Sequence, residues 1–172
     1  VAYDPQNGKE IWRVNYPDGF SNVPRPVSGA GMVFITTGFQ QPSIMAIRPD
    51  GKGDVTKTHV AWTLSRGAPL TPSPVLVGDD LYVRSYKGRG GTWFRAAQVR
   101  QQGRIHAGGI ERDVTFVEET DPGINDQINA AYRTKYRGYS AQYVDPMVAA
   151  EARGTPAGGA ARWVHARRAD DH

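Results

Sequence analysis

An internal repeat constrains this chain more than anything else in it. Aligning Pro26-Val27 with Pro74-Val75, a shift of 48 residues, sets Val33-Phe34-Ile35-Thr36-Thr37 on Leu81-Tyr82-Val83-Arg84-Ser85 without a gap. A second pair of segments repeats beside the first. Ala2-Tyr3-Asp4-Pro5 leads through Gly8-Lys9 to Ile11-Trp12, and Ala46-Ile47-Arg48-Pro49 leads through Gly51-Lys52 to Ala61-Trp62. Short β-branched and aromatic runs bounded by Gly and Asp predict strands. Asn7-Gly8 and Asp50-Gly51 predict the reversals between strands, because Gly tolerates positive φ. Each Trp falls in the last strand of its unit, where a large ring fills the layer between neighbouring sheets.

Three strands, a Gly turn and a Trp strand make one four-stranded propeller blade. The run YDPQNGKEIWR resembles the repeat of pyrroloquinoline-quinone-type β-propellers, and TPSPVLVGDDLYV resembles the opening strands of a following blade. The resemblance covers residues 1–83 and implies one full blade, about 24–66, between two partial ones. Such proteins bind the quinone with a metal at the centre of a closed ring, or serve as scaffolds. A fragment has no such centre, so the quinone is not expected here. Trp12 and Trp62 are expected to be structural.

After Val83 the pattern changes. The net charge of +4 falls wholly in residues 84–172, and Arg84 to Arg104 hold six basic residues and no acid. A Gly-rich basic loop, Arg84 to Gly91, leads into Thr92–Val99, whose spacing predicts a helix with Phe94 and Ala97 inward and Arg95 and Arg100 outward. Thr92 is the expected N-cap. Arg104–Ala107 and Val114–Val117 predict strands joined through Gly108-Gly109. Asp121-Pro122 starts a helix whose stripe is Ile124, Ile128, Ala131, Tyr132 and Tyr136. Asp145-Pro146 predicts a third helix through about Ala152. The expected class is therefore β-rich plus α+β: partial antiparallel propeller blades, then a small split-barrel-like half.

The run DLYVRS…WFRAAQ…GRIHAGGIERDVTF…INAAYRTKY…YVDPMV resembles the bacterial family known as domain of unknown function 2255, over residues 78–153. That family in turn looks distantly like split barrels that bind flavin mononucleotide (FMN) or deazaflavin, with the basic loop near the cofactor phosphate. The strands that should precede Gly78 are replaced by propeller-like sequence. VGDDLYV satisfies both families, so the chain reads as a chimera joined there, with one divergent domain as the alternative. Residues 154–172, rich in Ala, Gly and Arg, are expected to form a disordered tail.

The candidate cofactor-binding residues are Arg84, Ser85, Lys87, Arg89, Thr92, Trp93 and Arg95. Cationic groups beside a Gly-rich backbone and a helix N-terminus suit a phosphate, and Trp93 would stack on a flavin ring. The blander reading is an exposed basic hairpin loop, with Trp93 anchoring its helix in the core. His59, His106, His165 and His172 lack metal-ligand spacing, so no metal site is expected. Glu118-Glu119-Asp121 is explained as helix-start electrostatics. The absence of Cys excludes disulfides and thiolate sites. No catalytic constellation is recognisable. The sequence shows neither an apolar run long enough to span a membrane nor a signal-peptide pattern, and it reads as if it begins in mid-domain. A cytoplasmic location is the default, although the propeller half resembles extracytoplasmic proteins. The leading expectation is a non-catalytic scaffold, open to self-association or a protein partner through unpaired sheet edges. The alternative is a flavin-type nucleotide-binding protein with oxidoreductase activity. Nucleic-acid binding ranks below both.

Overall fold

The computed structural model describes residues 1–17, 24–37, 41–66, 68, 73–78, 80–85, 90–100, 102–107, 110–148 and 160–165. Strands β1 (Ala2–Tyr3) and β2 (Glu10–Arg13) pair across the expected reversal. Asp4 Oδ1 accepts from Gln6 N at 2.8 Å, and Gly8, at φ +70°, donates its N–H to Asp4 O at 2.8 Å. The repeat unit then forms β3 (Val27–Gly29), β4 (Met32–Thr37), β5 (Ser43–Ile47) and β7 (Val60–Arg66), a four-stranded antiparallel meander. Between β5 and β7 the short β6 (Gly53–Asp54) runs parallel to β2 and completes a small sheet of order β1-β2-β6. Trp12 binds that small sheet to the meander: it is buried with Val14, Met45, Ile47 and Val55. Trp62 packs against Phe34, ring centroids 5.8 Å apart. Both tryptophans are packing residues, as their strand positions predict.

The second half continues the same sheet. Its elements are β8 (Val75–Val77), β9 (Asp80–Arg84), α1 (Thr92–Arg100), β10 (Gln102–Ala107), β11 (Ile110–Glu118), α2 (Pro122–Lys135), α3 (Ala141–Val148) and β12 (Ala160–His165). The strand order is β3-β4-β5-β7-β10-β11-β12-β9-β8, antiparallel at every step. β7 is therefore flanked by β5 and β10, with Ile44 and Ile105 both in register with Leu64. Among the described residues no ladder joins β3 to β8, and the sheet they form is open. Its two edges nevertheless meet through side chains. A Cβ placed on Gly29 would lie 2.5 Å from Leu76 Cδ1, so a larger residue there would require the Leu76 side chain to move.

The helices cover part of this sheet. On α1, Phe94 and Ala97 are buried against Phe116 of β11, the two phenyl rings edge to face at 5.6 Å, while Arg95 points outward. On α2, Ile128 and Tyr132 pack with Val75, Tyr82 and Val148, and Ile124, Ala131 and Tyr136 border them, which is the predicted stripe. Asp121 caps α2 as expected, its Oδ1 accepting from Ile124 N at 2.8 Å.

Two local expectations change. The third helix does not begin at Asp145-Pro146, because α3 runs Ala141–Val148 with Pro146 inside it. Burial of Val144 and Val148, four residues apart, gives the helix its inward face, and Pro146, the sixth of its eight residues, is accommodated at the loss of one backbone hydrogen bond. The stretch expected to be a featureless tail holds β12 at Ala160–His165, which fills the gap between β11 and β9. The adjacent aromatic and β-branched residues Trp163-Val164 suit a strand, and the low complexity before them hid that signal.

Candidate functional site

Of the predicted site residues, the structure describes the side chains of Arg84, Ser85 and Arg95. Arg84, at the end of β9, is fully buried. Its Nη1 donates to Asn129 Oδ1 and to Met147 O (3.0 Å), and its Nη2 donates to Asn125 Oδ1 (3.1 Å). Its backbone N–H donates to Tyr132 Oη at 3.2 Å, and the guanidinium carbon lies 5.7 Å from the centre of that ring. Met147 is next to last in α3, so its carbonyl is one that a helix end leaves unpartnered. Arg84 thus ties β9 to both α2 and α3 from the inside. Ser85 is also buried. Arg95 is exposed on the outer face of α1. Lys87 and Arg89 lie outside the described residues, as do the side chains of Thr92 and Trp93. The first helical bond of α1 runs from Arg95 N to Gly91 O at 3.0 Å, so the N-cap is Gly91 and not Thr92.

The acidic cluster is local. Asp121 caps α2, Glu119 Oε1 accepts from Asp121 N at 2.9 Å, and Glu118 accepts from Gln98 of α1 at 3.1 Å. Among the described residues no three His, Asp or Glu side chains form a group that would hold a metal ion. No helix among them is long and apolar enough to cross a membrane.

A cleft that sequence reading missed opens where β3, β8 and the C-terminal end of α2 come together. Its volume is about 800 Å³, and Arg25, Lys135, Arg137 and Tyr139 line it with Val75 and Leu76. Arg25 Nη1 donates to Lys135 O at 2.9 Å, and Lys135 Nζ donates to Arg25 O (3.1 Å) and Pro74 O (2.7 Å). The ammonium also sits 5.9 Å from the Tyr136 ring centre. Among the described residues no carboxylate pairs with Arg25, Lys135 or Arg137. Burial lowers the Lys135 pKa to about 8, and the charge of Arg25 adds to the effect. Lys135 also lies in the last turn of α2, where a cation suits the negative end of the helix dipole. Arg25 and Lys135 are 110 residues apart in sequence, so no local pattern pairs them. The Arg84 contacts had a fainter signal: Asn125, Asn129 and Tyr132 recur at helical spacing beside the apolar stripe.

The model of the family described as an uncharacterized protein conserved in bacteria (DUF2255) matches residues 49–156, more than half of the chain. The chain belongs to the DUF2255 family. No curated protein and no solved structure matches it. The DUF2255 segment begins well before Gly78 and takes in β6, β7 and the whole β8–β9 hairpin. Strands therefore do precede Gly78 within the family segment. The Arg84 contacts lie entirely inside that segment, whereas Arg25 lies outside it. The cleft of this DUF2255 protein is thus built jointly by the family segment and the chain before it.

Proposed function

We propose that this DUF2255 protein is a non-catalytic binding module whose cleft takes an anionic, phosphate-bearing small molecule. The observation that carries this reading is a cleft of about 800 Å³ edged by Arg25, Lys135 and Arg137 with no described carboxylate to neutralise them. A volume in that range suits a small ligand, and guanidinium groups match phosphate geometry. The meander β3-β4-β5-β7, with Trp12 packed against it, supports a propeller-blade ancestry for residues 24–66. Its continuation into the family segment supports a scaffold role for the joined sheet.

The flavin reading is retained as a second proposal, moved from the 84–95 loop to the cleft. Tyr139, 55% exposed and edge to face with Tyr136 at 5.5 Å, offers a ring beside the cations. Flavin mononucleotide presents a phosphate and a flat ring in one molecule. In that case the cofactor would carry any redox chemistry, and the protein would supply orientation and charge.

Calorimetric titration with inorganic phosphate, and separately with flavin mononucleotide, tests both readings. Saturable binding that weakens about tenfold in Arg137→Ala supports the anion cleft. Absence of binding by either compound at millimolar concentration refutes it. Flavin binding no tighter than phosphate binding refutes the flavin version alone.

A further inference from the structure

Lys135 differs in its surroundings from the other described lysines. Lys9, Lys52 and Lys57 are exposed, whereas the Lys135 amine is half-buried at the wall of the cleft. Two of its N–H bonds are committed to Arg25 O and Pro74 O, at 3.1 and 2.7 Å. An ammonium carries three N–H donors. The third tetrahedral position has no acceptor among the described residues, and on deprotonation it becomes the lone pair. The backbone carbonyls thus fix the orientation of the nitrogen and leave one direction for an incoming group.

We propose that Lys135 is a reactive amine that captures an aldehyde bearing a phosphate or carboxylate group, as a reversible Schiff base in the cleft. This rests on the anion-binding reading above and names the ligand's second functional group. The oxyanion would be held by Arg137 and by Arg25, which uses only one of its guanidinium donors on Lys135 O. The Lys135 lone pair attacks the aldehyde carbon, forming the C–N bond as the carbonyl π pair moves to oxygen. Proton transfer from nitrogen to oxygen gives a carbinolamine. Loss of the hydroxyl with a proton taken from solvent releases water and leaves a protonated C=N bond. No oxidant or reductant is needed. The protonated imine keeps one N–H, enough for the shorter bond to Pro74 O, and releases Arg25 O. Because burial and Arg25 hold the amine near pKa 8, a useful fraction is neutral at physiological pH, unlike an exposed lysine.

The probe is pyridoxal phosphate, an aldehyde with a phosphate group, incubated with the full chain at neutral pH. Borohydride trapping and peptide mass mapping then locate the adducts. Lys135 is expected to be modified about tenfold faster than Lys9, Lys52 or Lys57. Pyridoxal without the phosphate is expected to lose that selectivity, and equal rates for the two compounds would overturn the role given to the anion. Lys135→Arg keeps the charge but forms no imine, so it should lose the selective adduct. If wild-type protein binds phosphate but Lys135 reacts no faster than the exposed lysines, the amine proposal fails and the anion reading stands. If neither binding nor selective labelling occurs, both fail.

Discussion

Arg84 and Lys135 are two basic side chains held by the same helix, and their difference separates structure from chemistry in this molecule. Arg84 reaches α2 from β9 and is enclosed by Asn125, Asn129 and the Met147 carbonyl. Lys135 extends from the last turn of α2 to carbonyls of the Arg25 and Pro74 segments, with one side turned to a cleft. A guanidinium cannot shed its proton in the physiological range, so Arg84 is a fixed charge that fastens elements together. An amine can, and Lys135 is placed where burial makes that accessible. Tyr132 joins the two regions. Its hydroxyl accepts from Arg84 N (3.2 Å) and donates to Ser73 O (2.8 Å), next to the Pro74 carbonyl that Lys135 holds.

The sharpest way to break this comparison is to remove the fixed charge. Arg84→Ala leaves a buried cavity and strips Asn125, Asn129 and Met147 O of their donor. The expected loss is about 4 kcal/mol in urea unfolding. A loss below about 1 kcal/mol would mean that Arg84 is not what binds β9 to the helices. Tyr132→Phe comes next. It deletes the hydroxyl shared by both regions and leaves Ser73 O and Arg84 N buried without it. The expected cost is about 2 kcal/mol, accompanied by weaker phosphate binding because the 73–74 segment loses one of its ties. Unchanged phosphate binding would show that the Arg84 contacts and the cleft are independent.

What sequence revealed and what it concealed follow the range of the interactions. The strands at Val33–Thr37 and Leu81–Ser85, the Asp121 cap and the stripe from Ile124 to Tyr136 rest on alternation, turn chemistry and helical period, all local. They were legible. That β7 would take β10 as its second neighbour was not, because Leu64 and Ile105 carry no mark of their pairing. Arg84 was legible as important but not in its role. A basic residue before a Gly-rich loop suggests a phosphate, and only the inward position of β9's last residue turns it to the core. The cleft was concealed because Arg25 and Lys135 meet only after the sheet brings its edges together.

The titration of Lys135 sharpens the contrast with Arg84. An unfolded lysine has a pKa near ~10.4, and in the fold Lys135 is held at about 8. Well below pH 8 the group is charged in both states and adds no pH dependence. Between about pH 8 and 10 the unfolded chain keeps the proton that the folded chain has lost, so stability rises with pH. Partial exposure reduces the rise to about 1 kcal/mol. Above about pH 10 the trend reverses. Burial raises the pKa values of Tyr132 and Tyr136, so unfolded tyrosines ionise first and stability falls. Urea midpoints measured from pH 7 to 10 should show the rise in wild type and lose it in Lys135→Met. A rise that persists in the variant would assign it to another group.

The smallest expected effect addresses whether α2 couples its two ends. Asp121→Ala removes the acceptor for Ile124 N at the start of the helix, at a cost of about 1 kcal/mol. The loosened turn includes Asn125, whose Nδ2 donates to Glu119 O and Asp121 O and whose Oδ1 accepts from Arg84. Fraying should therefore be felt at the Arg84 end and not at Lys135, because about two to three intact turns of α2 separate residues 124–126 from its last residue. Amide exchange should quicken at 124–126 while phosphate affinity stays within about twofold of wild type. If affinity drops with the cap, α2 moves as a unit and the fixed charge and the reactive amine are two ends of one device.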